Sequence, residues 1–349
     1  MYILKNRLYS LITKSLGLLL MRCKDQTPYI TDDLGGDFKK YLSNSGYENI
    51  RDTFVKGFDS LSLEEFDILE NRFLNLPNKS NVKLKVGYSL KWLFYKNPLD
   101  ARKTSLERNF DLKRLIYRLI CFWKYPKMDI EDSVFFYKHG LVFLPVSVKE
   151  YIRGSEYLDI GTFHGDSIIS LNSYGFSGIH GFDISRISLN RALTNLKLAG
   201  IQSKNIKLNC AFVGAKSSVK LNIIDSGQSD LKPTLFDNSE EKEGRYTVET
   251  ISIDDYFKNS LKPVRLIKAD VEGALLEVIK GGEKTIVKNR PILLLAVYHN
   301  PTEFFEVKNL LQGWNLDYHF ILKKLTHRRF RNASHIETFL LVVPEKLMR

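Results

Sequence analysis

The spacing of apolar residues is helical over much of the first 130 positions of the chain. One pattern begins near Ser62, which we expect to cap a helix because Glu65 follows three residues later. Its apolar positions fit one buried stripe: Phe66, Ile68, Leu69 and Phe73. A second pattern has helically spaced apolar residues that we expect to face the core: Leu112, Leu115, Ile116, Leu119 and Ile120. The sequence therefore predicts a mainly helical N-terminal region.

From about Asp132 short apolar runs alternate with helical patterns. The runs Val134–Tyr137 and Leu141–Leu144 predict a hairpin around Lys138-His139-Gly140. Further strands are predicted at Tyr157–Ile160, Ile179–Phe182, Ile206–Asn209, Leu266–Ala269 and Ile292–Val297, most of them separated by helices. Tyr318–Leu322 and Thr338–Val343 predict an antiparallel hairpin at the sheet edge. This order is typical of an α/β fold with a mostly parallel sheet.

The first of these parallel strands enters a glycine loop. Asp159 stands near the strand end, and Gly161 and Gly165 allow the backbone to approach a ligand before the next helix begins. The G-x-x-x-G spacing differs from the G-x-G-x-x-G of dinucleotide sites, and a carboxylate here would repel a pyrophosphate. It suits S-adenosylmethionine, which carries an ammonium, a sulfonium and no phosphate. The alternative is an ordinary strand–turn–helix unit.

The next two strands favour the nucleoside interpretation. Gly178–Asp183 ends in an acid 22 residues after Gly161, where a carboxylate bonds ribose hydroxyls. The third strand ends at Asn209-Cys210-Ala211, where an adenine edge would lie. The predicted cofactor site comprises Asp159, Gly161, Thr162, Phe163, Gly165, Asp183, Ile184, Cys210 and Ala211.

Several motifs together resemble the FkbM-type methyltransferases, a class I S-adenosylmethionine-dependent family. They are the loop Asp159–Ser167, Gly181-Phe-Asp183, Thr247–Asp255, and the K-x-D-x-E-G motif in Leu266–Gly273, with Gly281-Gly282 and Asn289-Arg290-Pro291 behind it. The resemblance runs from about Asp132 to Pro344. It implies a Rossmann-like class I sheet, S-adenosylmethionine as cofactor, and in-line O-methyl transfer to a hydroxyl of a sugar, glycan or other small molecule.

The resemblance places the active site just past the strand Leu266–Ala269. Asp270 and Glu272 lie there, and His299 ends the next strand as a candidate base near neutral pH. We expect these three residues to be catalytic. The two acids could share a proton, and a divalent cation held with His299 is the less favoured alternative. Asp270 could instead simply cap the following helix. The expected substrate contacts are Lys268, Tyr298 and Lys323.

Most of the positive charge lies in one window. The 349 residues include 52 Lys and Arg against 40 Asp and Glu, a net charge of +12. Residues 72–127 hold 14 of the basic residues against three acids, or +11. Basic residues interleaved with aromatics can bind nucleic acid, so a nucleic-acid methyltransferase is an alternative function. A non-catalytic docking module is another, and a solvated basic face is the simplest interpretation of the window.

We expect three regions in the chain. Residues 1–24 are apolar and basic and fit either an in-plane helix or a helix docked on the body of the protein. Residues 25–130 form a mainly helical basic accessory region, and residues 131–349 form the methyltransferase domain. The longest apolar run of the first region, Leu16–Met21, is shorter than the roughly 20 residues of a membrane span. Three scattered cysteines without a C-x-x-C favour a reducing compartment. We therefore expect a cytoplasmic enzyme. We expect its basic region to contact an anionic membrane or the acceptor in preference to nucleic acid.

Overall fold

The computed structural model describes residues 35–74, 104–108, 112–125, 128, 130–225, 245–326 and 335–349. The predicted in-plane helix over 1–24, and most of the basic window over 72–127, lie outside these ranges.

A seven-stranded sheet forms the centre of the fold. The strands of the chain are β1 Glu156–Ile160, β2 Gly178–Asp183, β3 Ile206–Cys210, β4 Phe212–Val213, β5 Lys220–Ile224, β6 Arg245–Ile251, β7 Val264–Ala269, β8 Ile292–Ala296, β9 Tyr318–Lys324 and β10 Thr338–Pro344. The central sheet has the order β3-β2-β1-β7-β8-β10-β9. Its first five strands are parallel, and β10 is antiparallel to β8 and β9. The predicted parallel sheet with an antiparallel edge hairpin is confirmed.

Helices surround this sheet and precede it in the chain. Before β1 they are Gly35–Leu42, Tyr47–Val55, Ser60–Leu74, Ser105–Arg108, Leu112–Lys124 and Val146–Ile152. From the glycine loop onward they are Asp166–Leu171, Arg186–Leu198, Ile253–Phe257, Leu275–Lys280, Glu283–Asn289 and Pro301–Gly313. The predicted helical N-terminal region is confirmed for the part of it that the structure describes. None of the described helices is long and apolar enough to cross a membrane.

A second, three-stranded sheet of order β4-β6-β5 was not predicted. Its strands bury few side chains: in β5 only Ile223 is buried, and in β6 only Val248 and Thr250. The apolar residues of these short strands are separated by polar ones such as Asn222 and Thr247, so they do not form the clear signal from which the main sheet was predicted.

The hairpin predicted around Lys138-His139-Gly140 is wrong. A π-helical turn, Asp132–Phe136, and a 3-10 turn, Lys138–Phe143, occupy this segment. Lys138, His139 and Gly140 have φ angles of +52°, +51° and +97°, and three successive left-handed residues cannot continue a strand. Gly140 also packs against Leu341, whose Cδ2 would lie 2.6 Å from a Cβ at this position.

The helix Ser60–Leu74 packs against β9. The buried stripe predicted for it is confirmed: Phe66, Ile68, Leu69 and Phe73. The predicted cap is wrong, because the Asp59 carboxylate accepts the N–H of Ser62 at 2.7 Å. The Ser62 hydroxyl instead accepts the backbone N–H of Leu322, at 3.1 Å. A residue expected to serve its own helix thus fastens that helix to the sheet edge.

The N-terminal helices share a hydrophobic core with one face of the sheet. Phe54 and Phe66 lie against Phe304 and Phe305 of the helix Pro301–Gly313, with ring centroids 5.2–6.4 Å apart. Lys308 of the same helix donates to the Lys56 carbonyl at 2.7 Å. Residues 35–74 are therefore packed onto the sheet that carries the candidate site.

The helix Leu112–Lys124 differs from its predicted orientation. Ile116, Leu119 and Ile120 were expected to face the core, yet they are 50%, 44% and 56% exposed. Among the side chains of this helix that the structure describes, Cys121 is the buried one, at 3% exposure. The periodicity identified an apolar stripe correctly but could not tell which side of the helix meets the body.

Candidate active site

The glycine loop after β1 is held by its two neighbouring strands. The N–H groups of Gly161 and Thr162 donate to the Phe182 carbonyl at 2.9 and 3.0 Å. Gly161 has φ +76°, and a Cβ there would lie 1.8 Å from the Asp270 carbonyl oxygen. Phe163 and Gly165 also have positive φ, at +46° and +78°. The first glycine is thus required by the close contact between the loop and the end of β7.

Asp183 at the end of β2 orients this loop. Its two carboxylate oxygens accept the N–H groups of Phe163 and Ser185, each at 2.8 Å. Burial raises the pKa of Asp183, and these two donors oppose that shift. Each oxygen retains a second acceptor position, and the residue is only half-buried. The carboxylate therefore has the position and the spare acceptors to bind ligand hydroxyls.

Asp159 is fully buried, and its oxygens have no hydrogen-bond partner among the described residues. The Lys268 ammonium lies 3.4 Å from Oδ1 of Asp159 and donates to the Gly161 carbonyl at 2.7 Å. Burial raises the pKa of Asp159 to about 6, with Lys268 acting against that shift. Asp159 was expected to contact a cationic ligand, and in the structure it lies beside the ammonium of Lys268.

Lys268 was expected to contact substrate, but it lies beneath the cofactor loop and is only 3% exposed. Burial disfavours its charged form, yet the nearby carboxylates, Asp159 foremost, raise its pKa above the usual value. Its observed partners belong to the loop and the end of β1. The substrate contact stays a prediction, and the structure gives Lys268 a supporting place under the loop.

The other predicted cofactor residues surround the end of β2. The Ala211 N–H donates to the Asp183 carbonyl at 3.2 Å, and the Cys210 thiol lies 3.7 Å from the Ile184 carbonyl. Thr162 donates its hydroxyl to the Asp159 carbonyl at 2.9 Å. The structure therefore brings the predicted loop, the end of β2 and the end of β3 together.

Two residues that the sequence reasoning missed fix the segment after Asp183. The Tyr246 hydroxyl lies 2.7 Å from both the Ile184 carbonyl and the Asp225 carboxylate. Asp225 also accepts the Ser185 hydroxyl at 2.8 Å. Tyr246 belongs to β6 of the small sheet, 62 residues beyond Ile184. No motif or spacing connects these positions, so only the fold identifies them.

The three predicted catalytic residues lie together. Nε2 of His299 is 3.3 Å from Oδ1 of Asp270 and 3.6 Å from Oε1 of Glu272. The Asp270 N–H donates to the Ile160 carbonyl at 3.0 Å, which places this cluster beside the glycine loop. Glu272 has φ +48° and Gly273 φ +105°, so the chain turns sharply out of β7. The side chains of Asp270 and Glu272 are 27% and 36% exposed, so they are the accessible members of the cluster.

A third carboxylate, Glu303, lies behind the histidine. Its Oε2 is 3.8 Å from Nδ1 of His299, and its Oε1 accepts the Leu275 N–H at 2.6 Å. Asn300 caps the helix Pro301–Gly313 by accepting the Glu303 N–H at 2.8 Å. The sequence offered one signal, the four-residue spacing from His299, but a glutamate in a first helical turn is also an ordinary helix-start residue.

The charges of this cluster determine the state of the histidine. Burial disfavours the imidazolium, but Glu272 and Asp270 outweigh it and raise the pKa of His299 to about 9. Burial raises the pKa of Glu303 to about 7. At neutral pH His299 is therefore positively charged between acids, whereas the sequence suggested a base. A proton acceptor is then more readily supplied by the exposed carboxylates.

The remaining predicted substrate residues lie in different surroundings. Tyr298 is buried, with its ring 4.2 Å from the His299 ring. The Lys323 ammonium lies 2.7 Å from the Ser105 hydroxyl and 3.6 Å from the Glu65 carboxylate. Lys323 thus connects β9 to the N-terminal helices, and its substrate contact stays a prediction. In the described ranges, no group of three or more His, Cys, Asp or Glu residues forms a metal site.

Comparison with known proteins identifies the domain. The family model described as the methyltransferase FkbM domain matches residues 159–331. The FkbM methyltransferase structure from Methylobacillus flagellatus KT is similar at 19% identity and a TM-score of 0.43, over 68% of this chain and 56% of that one. This chain thus spans little more than half of that protein.

Two further solved structures are similar at the level of the fold. A rRNA methylase from Streptococcus thermophilus has 13% identity and a TM-score of 0.34, over 56% of this chain and 90% of that chain. SMU.1697c from Streptococcus mutans, solved in complex with SAH, has 12% identity and a TM-score of 0.33, over 56% and 93%. No curated protein matches the chain. Residues 159–331, just under half of the chain, match the FkbM methyltransferase domain, as the sequence motifs predicted.

Proposed function

We propose that this enzyme transfers the methyl group of S-adenosylmethionine to a hydroxyl of a sugar, glycan or other small molecule. The observation that carries the proposal is the cluster of Asp270, Glu272 and His299 beside the glycine loop. Gly161 packs on the Asp270 carbonyl, so the loop and the cluster are in direct backbone contact. Groups that bind a cofactor and groups that move a proton are thereby held at one edge of the sheet.

The residues around β1 to β3 fit this cofactor. Asp183 would bind the ribose hydroxyls through its spare acceptor positions, and Cys210 and Ala211 would flank the base. Lys268 holds the loop from below by donating to the Gly161 carbonyl, and its ammonium is balanced by Asp159. When bound, S-adenosylmethionine supplies an electrophilic methyl group.

The cluster of Asp270, Glu272 and His299 would remove the proton of the acceptor hydroxyl. A hydroxyl loses its proton as it forms a new bond to carbon, and a positioned carboxylate accepts that proton. Glu272, 36% exposed at the end of β7, is the acceptor that we assign, with Asp270 beside it. The charged His299 stabilises both carboxylates and keeps the pair oriented. Its contact with Glu303 holds the imidazole from the other side.

The test supplies methyl-labelled S-adenosylmethionine and the full chain to cell-extract fractions of glycans, lipids, small metabolites and RNA. We expect label in a glycan or small-molecule fraction, in a bond that resists mild base as an ether does. Label only in RNA would instead establish nucleic-acid methylation. Glu272→Gln should lose label transfer while retaining cofactor affinity by calorimetry. Glu277→Gln, at an exposed position of the next helix, is the matched control and should behave as wild type.

We also propose a cytoplasmic location. The two cysteines within the described ranges, Cys121 and Cys210, are free thiols, as expected in a reducing compartment. Fractionation of cells with an antibody to the chain tests this location.

A further inference from the structure

Among the side chains of the helix Leu112–Lys124 that the structure describes, Tyr117 and Cys121 pack on the body. Tyr117 meets the Phe136 ring edge-to-face at 5.6 Å, and its hydroxyl lies 3.4 Å from the Lys138 ammonium. Cys121, one turn later, is 3% exposed. Tyr125, just past the helix, lies 5.6 Å from Phe135. These contacts fix the rotation of the helix about its axis.

The opposite side is apolar and faces solvent. Ile116, Leu119 and Ile120, here named the outer stripe, are spaced three and four residues apart and are 44–56% exposed. Lys113 and Lys124, both exposed, stand in the first and last turns. An ordinary surface helix turns its apolar stripe inward, whereas the outer stripe of this helix faces solvent. An exposed apolar stripe of this kind marks a binding surface.

We propose that the outer stripe docks on an anionic lipid surface. An apolar face between lysines is the chemistry of a helix that lies in the interface plane, with its side chains in the acyl boundary and its ammonium groups among anionic headgroups. The exposed Lys113 and Lys124 give this surface a positive charge that complements anionic headgroups. A second copy of the chain docked on the same stripe would bring these lysines near their counterparts, which opposes self-association. This surface is separate from the methyl-transfer site and does not depend on the proposed acceptor.

Docking at this place would hold the catalytic domain against the membrane. The helix rests on the turn Asp132–Phe136. The Val134 carbonyl of that turn accepts the Ser170 hydroxyl at 2.7 Å, and Ser170 lies on the helix that follows the glycine loop. The docking helix is therefore connected to the cofactor loop through this turn and the short helix that carries Ser170.

The test measures binding of the full chain to vesicles of phosphatidylcholine with and without 30% phosphatidylglycerol by flotation. We expect binding to the anionic vesicles that weakens with salt. The variant Ile116→Ser/Leu119→Ser/Ile120→Ser should lower the partition coefficient by roughly tenfold or more, since three apolar side chains leave the interface. Lys113→Glu/Lys124→Glu should lower it by about fivefold or more per residue on anionic vesicles alone.

The helix Arg186–Leu198 supplies matched controls. Leu193 and Leu198 are 50% and 59% exposed, and Lys197 is exposed beside them. Leu193→Ser/Leu198→Ser and Lys197→Glu should leave vesicle binding unchanged. The proposal is overturned if the triple serine variant binds the anionic vesicles as well as wild type does. It is also overturned if wild type binds neither kind of vesicle. If wild type sediments as a dimer and the triple serine variant as a monomer, the stripe contacts a second copy instead. If the three serines lower the melting temperature by several degrees, the stripe packs against the chain itself.

Discussion

Replacing Lys268 by methionine tests the buried charge pair beneath the glycine loop. The substitution removes the ammonium that lies 3.4 Å from Asp159, a carboxylate with no exposed surface. Breaking a buried pair from one side leaves an uncompensated charge, which costs about 3–5 kcal/mol of unfolding free energy. For a chain of this length that corresponds to a fall in melting temperature of roughly 5–10 °C.

The assay is thermal and urea unfolding followed by circular dichroism. Asp159→Asn combined with Lys268→Met should recover about 1–3 kcal/mol, because the double variant has no buried charge left at this pair. Lys280→Met is the control, since Lys280 pairs with Glu277 at 2.9 Å but both side chains are about half exposed. Removing such a surface pair should cost less than about 1 kcal/mol.

The pH dependence of the variant provides a second check. The pKa of Asp159 is raised from its ordinary value of 3.8 to about 6 in the folded protein. The folded state therefore binds the proton more tightly than the unfolded chain, so this group's contribution to stability falls as the pH rises from about 4 through 6. Without Lys268 the charged form of Asp159 loses its partner, so the folded protein is more stable when Asp159 is protonated. The loss of unfolding free energy in Lys268→Met should therefore be largest at neutral pH and shrink toward pH 4. A variant that unfolds within about 1 kcal/mol of wild type at pH 7 would refute the assigned pair.

Three other predictions concern the loop and the acid cluster. Gly161→Ala should lower both the melting temperature and the calorimetric affinity for S-adenosylmethionine, because its Cβ would overlap a backbone carbonyl. Gly154→Ala is the control, since Gly154 has φ +71° but no atom within 4 Å of a Cβ. It should lower the unfolding free energy by only about 1–2 kcal/mol and leave affinity unchanged. Asp183→Ala should weaken that affinity, whereas Glu272→Gln should lower turnover by roughly 100-fold at unchanged affinity, and the reverse pattern would exchange their roles. The pKa of His299 is raised from 6.5 to about 9, so its stabilising contribution is full below pH 6.5 and is lost as the pH rises through 9. His299→Gln should flatten the stability curve over that window, and an imidazole that titrates near 6.5 by NMR would contradict the cluster.

The strands and the cofactor loop could be predicted from the sequence. The strands of the central sheet are short and rich in apolar residues because helices cover the sheet, and most were placed to within one or two residues. The positions of Asp183 and Asp270 followed from their places at strand ends, since parallel strands end at one edge. These features are local, and a local pattern suffices to specify them.

Contacts between distant segments could not be predicted in this way. Lys268 was expected to face the substrate, and its place under the Gly161 carbonyl depends on the register of β1 with β7. The hydrogen bond between Tyr246 and Asp225 depends on a small sheet whose strands were not predicted from the sequence. The protonated state of His299 depends on three carboxylates from two different segments.

The sequence by itself determined which residues form the strands of the central sheet and which of those strands end in acids. The tertiary structure decided what each face and each charge meets. Periodicity in the helix Leu112–Lys124 showed an apolar stripe, but the rings of Tyr117 and Phe136 set the rotation that turns Ile116 outward. The physical reason is that hydrophobic spacing is a property of one segment, whereas burial and electrostatic environment are properties of the packed neighbours.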